Sequence, residues 1–199
     1  MKVVFVLTAS YLLGSIPWGY LVGVWWKGLD IRRYGSGNIG TTNAFRILGP
    51  GPGTVVLLGD ILKGTLAVLL AKSIGSELLA VAAGLAAIAG HSWSIFLGFR
   101  GGRGVATGAG VILGLVPLAI PVLFLLWAGT ILVTRYVSVG SITAAVAAPV
   151  VMGWVGHSWL MALLGLLAGA AVIIRHQPNL ERLRRGVEPR IGEHGSWRP

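Results

Sequence analysis

Long apolar stretches alternate along the chain with short polar segments that are rich in glycine or in basic residues. The first stretch, 3–26, carries no charge and is long enough to cross a bilayer as a helix rising about 1.5 Å per residue. Later stretches repeat the pattern, interrupted only by isolated polar residues. The pattern predicts an all-α chain with membrane spans at 3–26, 54–71, 78–99, 104–116, 118–134, 137–155 and 159–174, followed by a basic tail at 175–199.

The uncharged run 104–134 is long for one span and short for two, so the positions of the basic residues decide the count. Lysine and arginine accumulate in cytoplasmic loops, and they occur just before this run at Arg103 and just after it at Arg135. Both loops lie on one side only if the run crosses twice, turning near Pro117 and Pro121, where helices are readily broken. We therefore expect about seven spans, with the N-terminus outside and the C-terminus in the cytoplasm. One long tilted helix here, giving one span fewer, is the alternative.

Composition supports the membrane interpretation. Hydrophobic residues make up 55% of the 199 residues and charged residues 11%, against about 25% charged in soluble domains. The net charge of +10 sits between apolar runs, which is typical of membrane orientation signals and argues against a nucleic-acid partner. No cysteine is present, which excludes disulfides and thiolate chemistry. We expect a single polytopic domain over 1–199 in the cytoplasmic (inner) membrane of the cell.

The first polar segment, Gly35–Asn43, has alternating glycines, followed by Arg46. Glycines allow successive backbone N–H groups to converge on an anion, and Ser, Thr and Asn side chains add donors. A helix beginning near Thr41 or Thr42 would add further attraction for phosphate. The segment is a candidate phosphate site, with a flexible polar loop as the alternative. The candidates are Gly35, Ser36, Gly37, Asn38, Gly40, Asn43 and Arg46.

A second candidate site, Gly98–Thr107, places Arg100 and Arg103 among glycines at a membrane boundary. Arginines that only set topology would not need glycines on both sides of Arg103, so an anion site is favoured. Its candidates are Gly101, Gly102, Arg103 and Gly104.

The third segment is the start of the basic tail. Leu180, Leu183 and Val187 recur at helical spacing, which is typical of an amphipathic helix lying on anionic membrane lipids. His176 and Asn179, where the last span meets water, are harder to explain as lipid contacts.

Charged and metal-binding groups are sparse inside the spans. Asp60 and Lys63 lie one helical turn apart and are expected to form an ion pair, and His91 to be a hydrogen-bonded packing residue. No carboxylates or histidines have the spacing of metal ligands, so we expect neither a metal site nor a cofactor. No histidine is followed five positions later by aspartate, the arrangement of common glycerolipid acyltransferases. The remaining candidate groups are positive charges, hydroxyls, amides and glycines. Such groups suit a site that holds two phosphorylated molecules together.

The three segments, in this order, resemble the motifs of bacterial acyl-phosphate:glycerol-3-phosphate acyltransferases of the PlsY type. Segments like Asp60–Gly64 and Tyr136–Thr143 belong to the same pattern. The resemblance implies transfer of an acyl group from acyl phosphate to the 1-hydroxyl of glycerol 3-phosphate, forming lysophosphatidic acid and phosphate. It points to the glycines around Arg103 and to Ser36, Arg46, Ser141, His176, Asn179 and Glu188.

Two positions depart from the family pattern. Thr41 stands where alanine is usual, and Arg103 where lysine is usual. The two cations are not interchangeable, but a guanidinium can still hold phosphate through two hydrogen bonds.

The expected mechanism is direct attack without a covalent intermediate. Glycerol 3-phosphate is held by the first and third motifs, and acyl phosphate by the second. The proton acceptor is either His176 or a substrate phosphate oxygen. A small transporter of organic phosphates and a non-catalytic protein that binds anionic lipid are the alternatives. Expected partners are the two substrates and membrane lipids; a monomer is expected, with oligomerisation left open.

Overall fold

Every regular element of the described part of the chain is helical. The structure is a computed structural model that describes residues 1–192, so the last residues of the predicted basic tail, 193–199, lie outside it. The all-α prediction is confirmed for the described residues. The helices are α1 (Lys2–Ser15), α2 (Trp18–Lys27), α3 (Thr41–Leu48), α4 (Pro50–Ile74), α5 (Glu77–Ser92), α6 (Val105–Leu115), α7 (Ala119–Thr134), α8 (Val137–Gly156), α9 (Trp159–Arg175) and α10 (Gln177–Arg184), with short 3-10 turns at Ile31–Arg33 and Ile95–Leu97.

Within residues 1–192, four segments are long and apolar enough to cross a membrane, judged by length and composition. They are Lys2–Lys27, Pro50–Ile74, Glu77–Leu97 and Val137–Val155. A fifth results if α9 and α10, which meet at a bend of 52°, count as one span. The helices α6 and α7 are also apolar but shorter, at 11 and 16 residues.

Prolines mark the breaks in two of the apolar runs. The run 3–26 is interrupted at residues 16–17, because Pro17 has no N–H to continue the helical ladder. The run 104–134 forms two helices separated at residues 116–118, around Pro117. Pro121 lies instead in the first turn of α7, where a missing N–H has no cost.

The chain divides into two compact units, Met1–Gly114 and a second that begins at Leu115. In the first, α5 packs against α1 and α4, and α4 also packs against α3. The helices α1 and α5 approach backbone to backbone, since a Cβ on Gly14 would lie 2.1 Å from the carbonyl oxygen of Ala87. Small residues allow such close packing between membrane helices.

The second unit is built on α8, which packs against α7 and α9. A Cβ on Gly169 of α9 would lie 2.4 Å from the carbonyl oxygen of Ala145 on α8. The same small-residue packing therefore holds this pair of helices together.

Candidate functional site

Asn43 organises the first glycine-rich segment. Its side chain is 2% exposed. Its Oδ1 accepts a hydrogen bond from the Ser36 N–H at 3.0 Å, and its Nδ2 donates to the carbonyl oxygens of Tyr34 at 3.1 Å and Asn38 at 2.9 Å. A longer contact of 3.4 Å reaches the Ile31 carbonyl. The amide therefore bonds to the loop on all sides, and it fixes the loop's shape.

Two glycines in this loop adopt the left-handed conformation, Gly35 with φ +60° and Gly37 with φ +69°. Glycine alone takes this conformation without steric cost. A Cβ on Gly35 would also lie 2.3 Å from Oδ1 of Asn43. Asn38 closes the next turn, since its Oδ1 accepts from the Gly40 N–H at 2.8 Å. Side-chain hydrogen bonds and two left-handed glycines thus shape this loop, and its role as a phosphate site stays a prediction.

The helix α3 begins directly after this loop. Gly40 is its N-cap, and no side chain caps the first N–H groups. Uncapped N–H groups at a helix start attract negative charge. Arg46 lies in the last turn of α3 and is half-buried.

The second glycine-rich segment lies directly on His91. The Gly102 N–H donates to the His91 carbonyl oxygen at 2.9 Å. A Cβ on Gly101 would lie 2.0 Å from that oxygen, and one on Gly102 would lie 2.1 Å from His91 Nε2. Gly104 has φ +82° and precedes α6. These positions require glycine because any side chain would collide or be strained. Arg103 is half-buried between them.

The first unit contains a cleft of about 450 Å³ onto which both glycine-rich segments open. The first segment contributes Gly37 and Ile39, and the second contributes Arg100 and Gly101. The remaining lining residues are Asp30, Arg32 and Arg33. Two motifs that are far apart in sequence therefore face one space.

Arginines make this cleft cationic. Arg32 donates to both carboxylate oxygens of Asp30, at 2.9 and 2.7 Å, and lies over the ring of Tyr20 at 4.8 Å. The hydrogen bond from Arg32 holds the pKa of the Asp30 carboxyl below its usual value. Among the residues described, the exposed side chains of Arg33 and Arg100 form no salt bridge. Their two charges are not neutralised, and a cationic cleft attracts anions.

Arg100 belongs to the second candidate anion site of the sequence, whereas Arg32 and Arg33 indicate by sequence only a cytoplasmic loop. The signal that could have found these two is their position immediately beside the first glycine-rich segment.

The third motif forms a network within the second unit. Glu188 accepts hydrogen bonds from Asn179 Nδ2 at 2.7 Å and from Arg182 Nε at 2.7 Å. His176 caps α9 at the bend before α10 and is 2% exposed, with Nδ1 2.8 Å from the carbonyl oxygen of Val172. Since a carbonyl only accepts, Nδ1 is the donor in this bond. The structure thus groups the motif's acid, amide and imidazole on one short stretch.

Ser141 lies on α8 and is 4% exposed. Its hydroxyl donates to the Val137 carbonyl oxygen at 2.9 Å and accepts from Trp127 Nε1 at 3.4 Å. Both partners lie in the second unit, so this hydroxyl is part of the packing between α7 and α8.

Comparisons with known proteins agree on one family. A family model for glycerol-3-phosphate acyltransferases matches residues 4–186. Glycerol-3-phosphate acyltransferase 2 of Moorella thermoacetica is 50% identical over 187 residues, which cover 94% of this chain and 96% of that protein. The glycerol-3-phosphate acyltransferase of Desulforamulus reducens is 44% identical over 191 residues, with 96% of each chain covered.

Two crystal structures of PlsY, described as an integral membrane glycerol 3-phosphate acyltransferase, have the same fold. The glycerol 3-phosphate form superposes with a TM-score of 0.91 at 40% identity, and the lysophosphatidic acid form with 0.89 at 39%. Each match covers 96% of both chains.

Proposed function

The chain belongs to the glycerol-3-phosphate acyltransferase family, and we propose that its acyl donor is an acyl phosphate. It is an integral membrane glycerol-3-phosphate acyltransferase that forms lysophosphatidic acid. The observation that supports the donor is the cationic cleft of the first unit, onto which two glycine-rich segments open. Two such segments suit two phosphate groups, one on each substrate.

The reaction needs no covalent enzyme intermediate because acyl phosphate is a mixed anhydride with a good leaving group. The 1-hydroxyl oxygen of glycerol 3-phosphate attacks the acyl carbon, the bond from that carbon to the phosphate oxygen breaks, and inorganic phosphate leaves. The enzyme contributes alignment and charge neutralisation.

The first unit supplies phosphate-binding groups for both substrates. We assign Ser36 and Arg46 to the phosphate of glycerol 3-phosphate, and Arg103 with the Gly101–Gly104 backbone to acyl phosphate. Asn43 acts through the loop that it holds and not by direct contact, because its polar atoms already bond to that loop.

In the second unit, His176 and Asn179 have proposed substrate-facing roles, and Glu188 acts by holding Asn179 and Arg182, since both of its carboxylate oxygens accept hydrogen bonds. The proton acceptor for the hydroxyl is His176 or a substrate phosphate oxygen. Asn179 Oδ1 is buried and makes no hydrogen bond among residues 1–192, which leaves an acceptor for a substrate hydroxyl.

Donor choice is tested with purified protein in liposomes. Acyl phosphate and glycerol 3-phosphate should give lysophosphatidic acid without nucleotide, CoA or metal, and a chelator should leave the initial rate unchanged. Acyl-CoA should give no product, since no motif suits its nucleotide. Equal rates with both donors would contradict the proposal, as would a rate restored by Mg²⁺. Uptake of organic phosphate without product would indicate a transporter, and lipid binding alone a non-catalytic protein.

We further propose seven spans, with α6 and α7 each crossing once, the N-terminus outside and the active site at the cytoplasmic face. The chain has no cysteine, so single cysteines can report each loop. Ser73→Cys and Trp159→Cys should react with an impermeant reagent from outside, whereas Arg100→Cys, Arg135→Cys and Arg185→Cys should not. Arg100 is chosen because position 102 has no space for a side chain. Labelling of loops 100 and 135 from opposite faces would mean that 104–134 crosses once.

A further inference from the structure

Three buried titratable side chains lie together beneath the second glycine-rich segment. Asp60 and Lys63 lie on α4 and His91 near the end of α5, and their exposed fractions are 1%, 2% and 3%. Lys63 Nζ lies 2.8 Å from Asp60 Oδ1, so the ion pair expected from the sequence is confirmed. Charges at this depth are costly, and they mark function more often than stability.

Lys63 also hydrogen-bonds to two other elements. Its Nζ bonds to His91 Nδ1 at 2.8 Å and donates to the Ile16 carbonyl oxygen at 3.0 Å. Ile16 lies at the break between α1 and α2. The ammonium thus joins α4, α5 and the broken first span at one point.

Two charged side chains meet the Nδ1 edge of His91. Lys63 Nζ lies 2.8 Å from this nitrogen and Asp60 Oδ1 lies 3.5 Å from it, so the pair holds the ring in place. The Nε2 edge of the ring faces Gly102, whose added Cβ would lie 2.1 Å from that atom. His91 therefore supports Gly102 twice, through this ring edge and through its carbonyl oxygen, which accepts the Gly102 N–H.

We propose that Asp60, Lys63 and His91 position the Gly101–Gly104 loop for the phosphate of the acyl donor. Asp60 holds Lys63, Lys63 and Asp60 hold the ring of His91, and His91 sets the height and orientation of the loop. The inference rests on the proposed assignment of this loop to acyl phosphate. His91 is a positioning residue, because its effect on substrate passes through Gly102. Donors for an anion help only when they are held in place before the anion arrives.

Two substitutions at His91 separate the two sides of the ring. His91→Asn places an amide oxygen near the former Nδ1 and keeps the bond to Lys63, but it removes the Nε2 side of the ring that contacts Gly102. His91→Gln places an N–H group near the former Nε2 and keeps the contact with Gly102, but it removes the hydrogen-bond partner of Lys63. Ser92→Ala is the matched control, since it removes a buried hydroxyl on the same turn of α5 that makes no hydrogen bond within residues 1–192.

The KM values for the two substrates should respond differently to these substitutions. His91→Asn should raise the KM for acyl phosphate about tenfold or more and leave the KM for glycerol 3-phosphate unchanged. His91→Gln should retain more of the acyl phosphate affinity despite a larger fall in Tm. Ser92→Ala should match the wild type. Equal rises in both KM values with His91→Asn, or an unchanged KM for acyl phosphate, would overturn the proposal.

Hydrogen exchange of a peptide covering residues 98–104 gives a readout that does not depend on the donor. His91→Asn should exchange faster there than the wild type, and Ser92→Ala should not. If the wild type does not use acyl phosphate, the donor assignment fails while the exchange comparison still decides the positioning role. Wild-type exchange in His91→Asn would overturn it.

Discussion

Asn43→Asp is expected to lower kcat/KM by on the order of 100-fold or more, although the two side chains have nearly the same shape. The substitution replaces an NH₂ group with a carboxylate oxygen that faces the carbonyl oxygens of Tyr34 and Asn38. Each buried acceptor left without a donor costs about 1–3 kcal/mol, and the new charge adds repulsion. The loop that presents Ser36 and precedes α3 should open.

Steady-state kinetics with both substrates, together with Tm, checks this expectation. Asn38→Ala removes a single hydrogen bond, to the Gly40 N–H, and should have the smaller effect of about 0.5–1.5 kcal/mol. Near wild-type kcat/KM in Asn43→Asp would show that the loop geometry does not matter for transfer.

Arg46→Ala and Arg103→Ala are each expected to lower kcat/KM by about 10- to 150-fold while the protein still inserts and folds. A charged hydrogen bond to a half-buried phosphate is worth about 1.5–3 kcal/mol. Neither arginine belongs to a packed span, since Arg46 lies on the short helix α3 and Arg103 in the loop before α6. Arg185→Ala is the control, because its ion pair with Glu181 is exposed and worth little.

The two losses should differ by substrate. Arg46→Ala should mainly raise the KM for glycerol 3-phosphate, and Arg103→Ala that for acyl phosphate. Arg103→Lys should retain much of the activity, because lysine is usual here in the family that the sequence resembles. Full activity in Arg103→Ala would show that Arg103 only sets the membrane topology and does not bind substrate. An inactive Arg103→Lys would mean that transfer requires the planar guanidinium.

The amino-acid sequence by itself determined the features that depend on short stretches of chain. Apolar runs bounded by basic residues predicted an all-α membrane protein, and Pro117 predicted the break between α6 and α7. Residues one helical turn apart predicted the pair of Asp60 and Lys63. The glycine-rich spacing pointed to the family that the comparisons show. Pro17 predicts a break in the same way as Pro117, and the run 3–26, expected as one helix, forms α1 and α2.

Only the tertiary structure decided which distant residues meet. Gly37 and Gly101 face one cleft, and Arg33 and Arg100 give that cleft its charge. Asn43, expected to contact substrate, bonds inward to its own loop, and His91, expected only to pack, supports Gly102. The physical reason is that hydrophobic periodicity and charge position determine structure over a few neighbouring residues, so the sequence shows their effect directly. Contacts across many residues depend on how the helices pack, which local pattern does not specify.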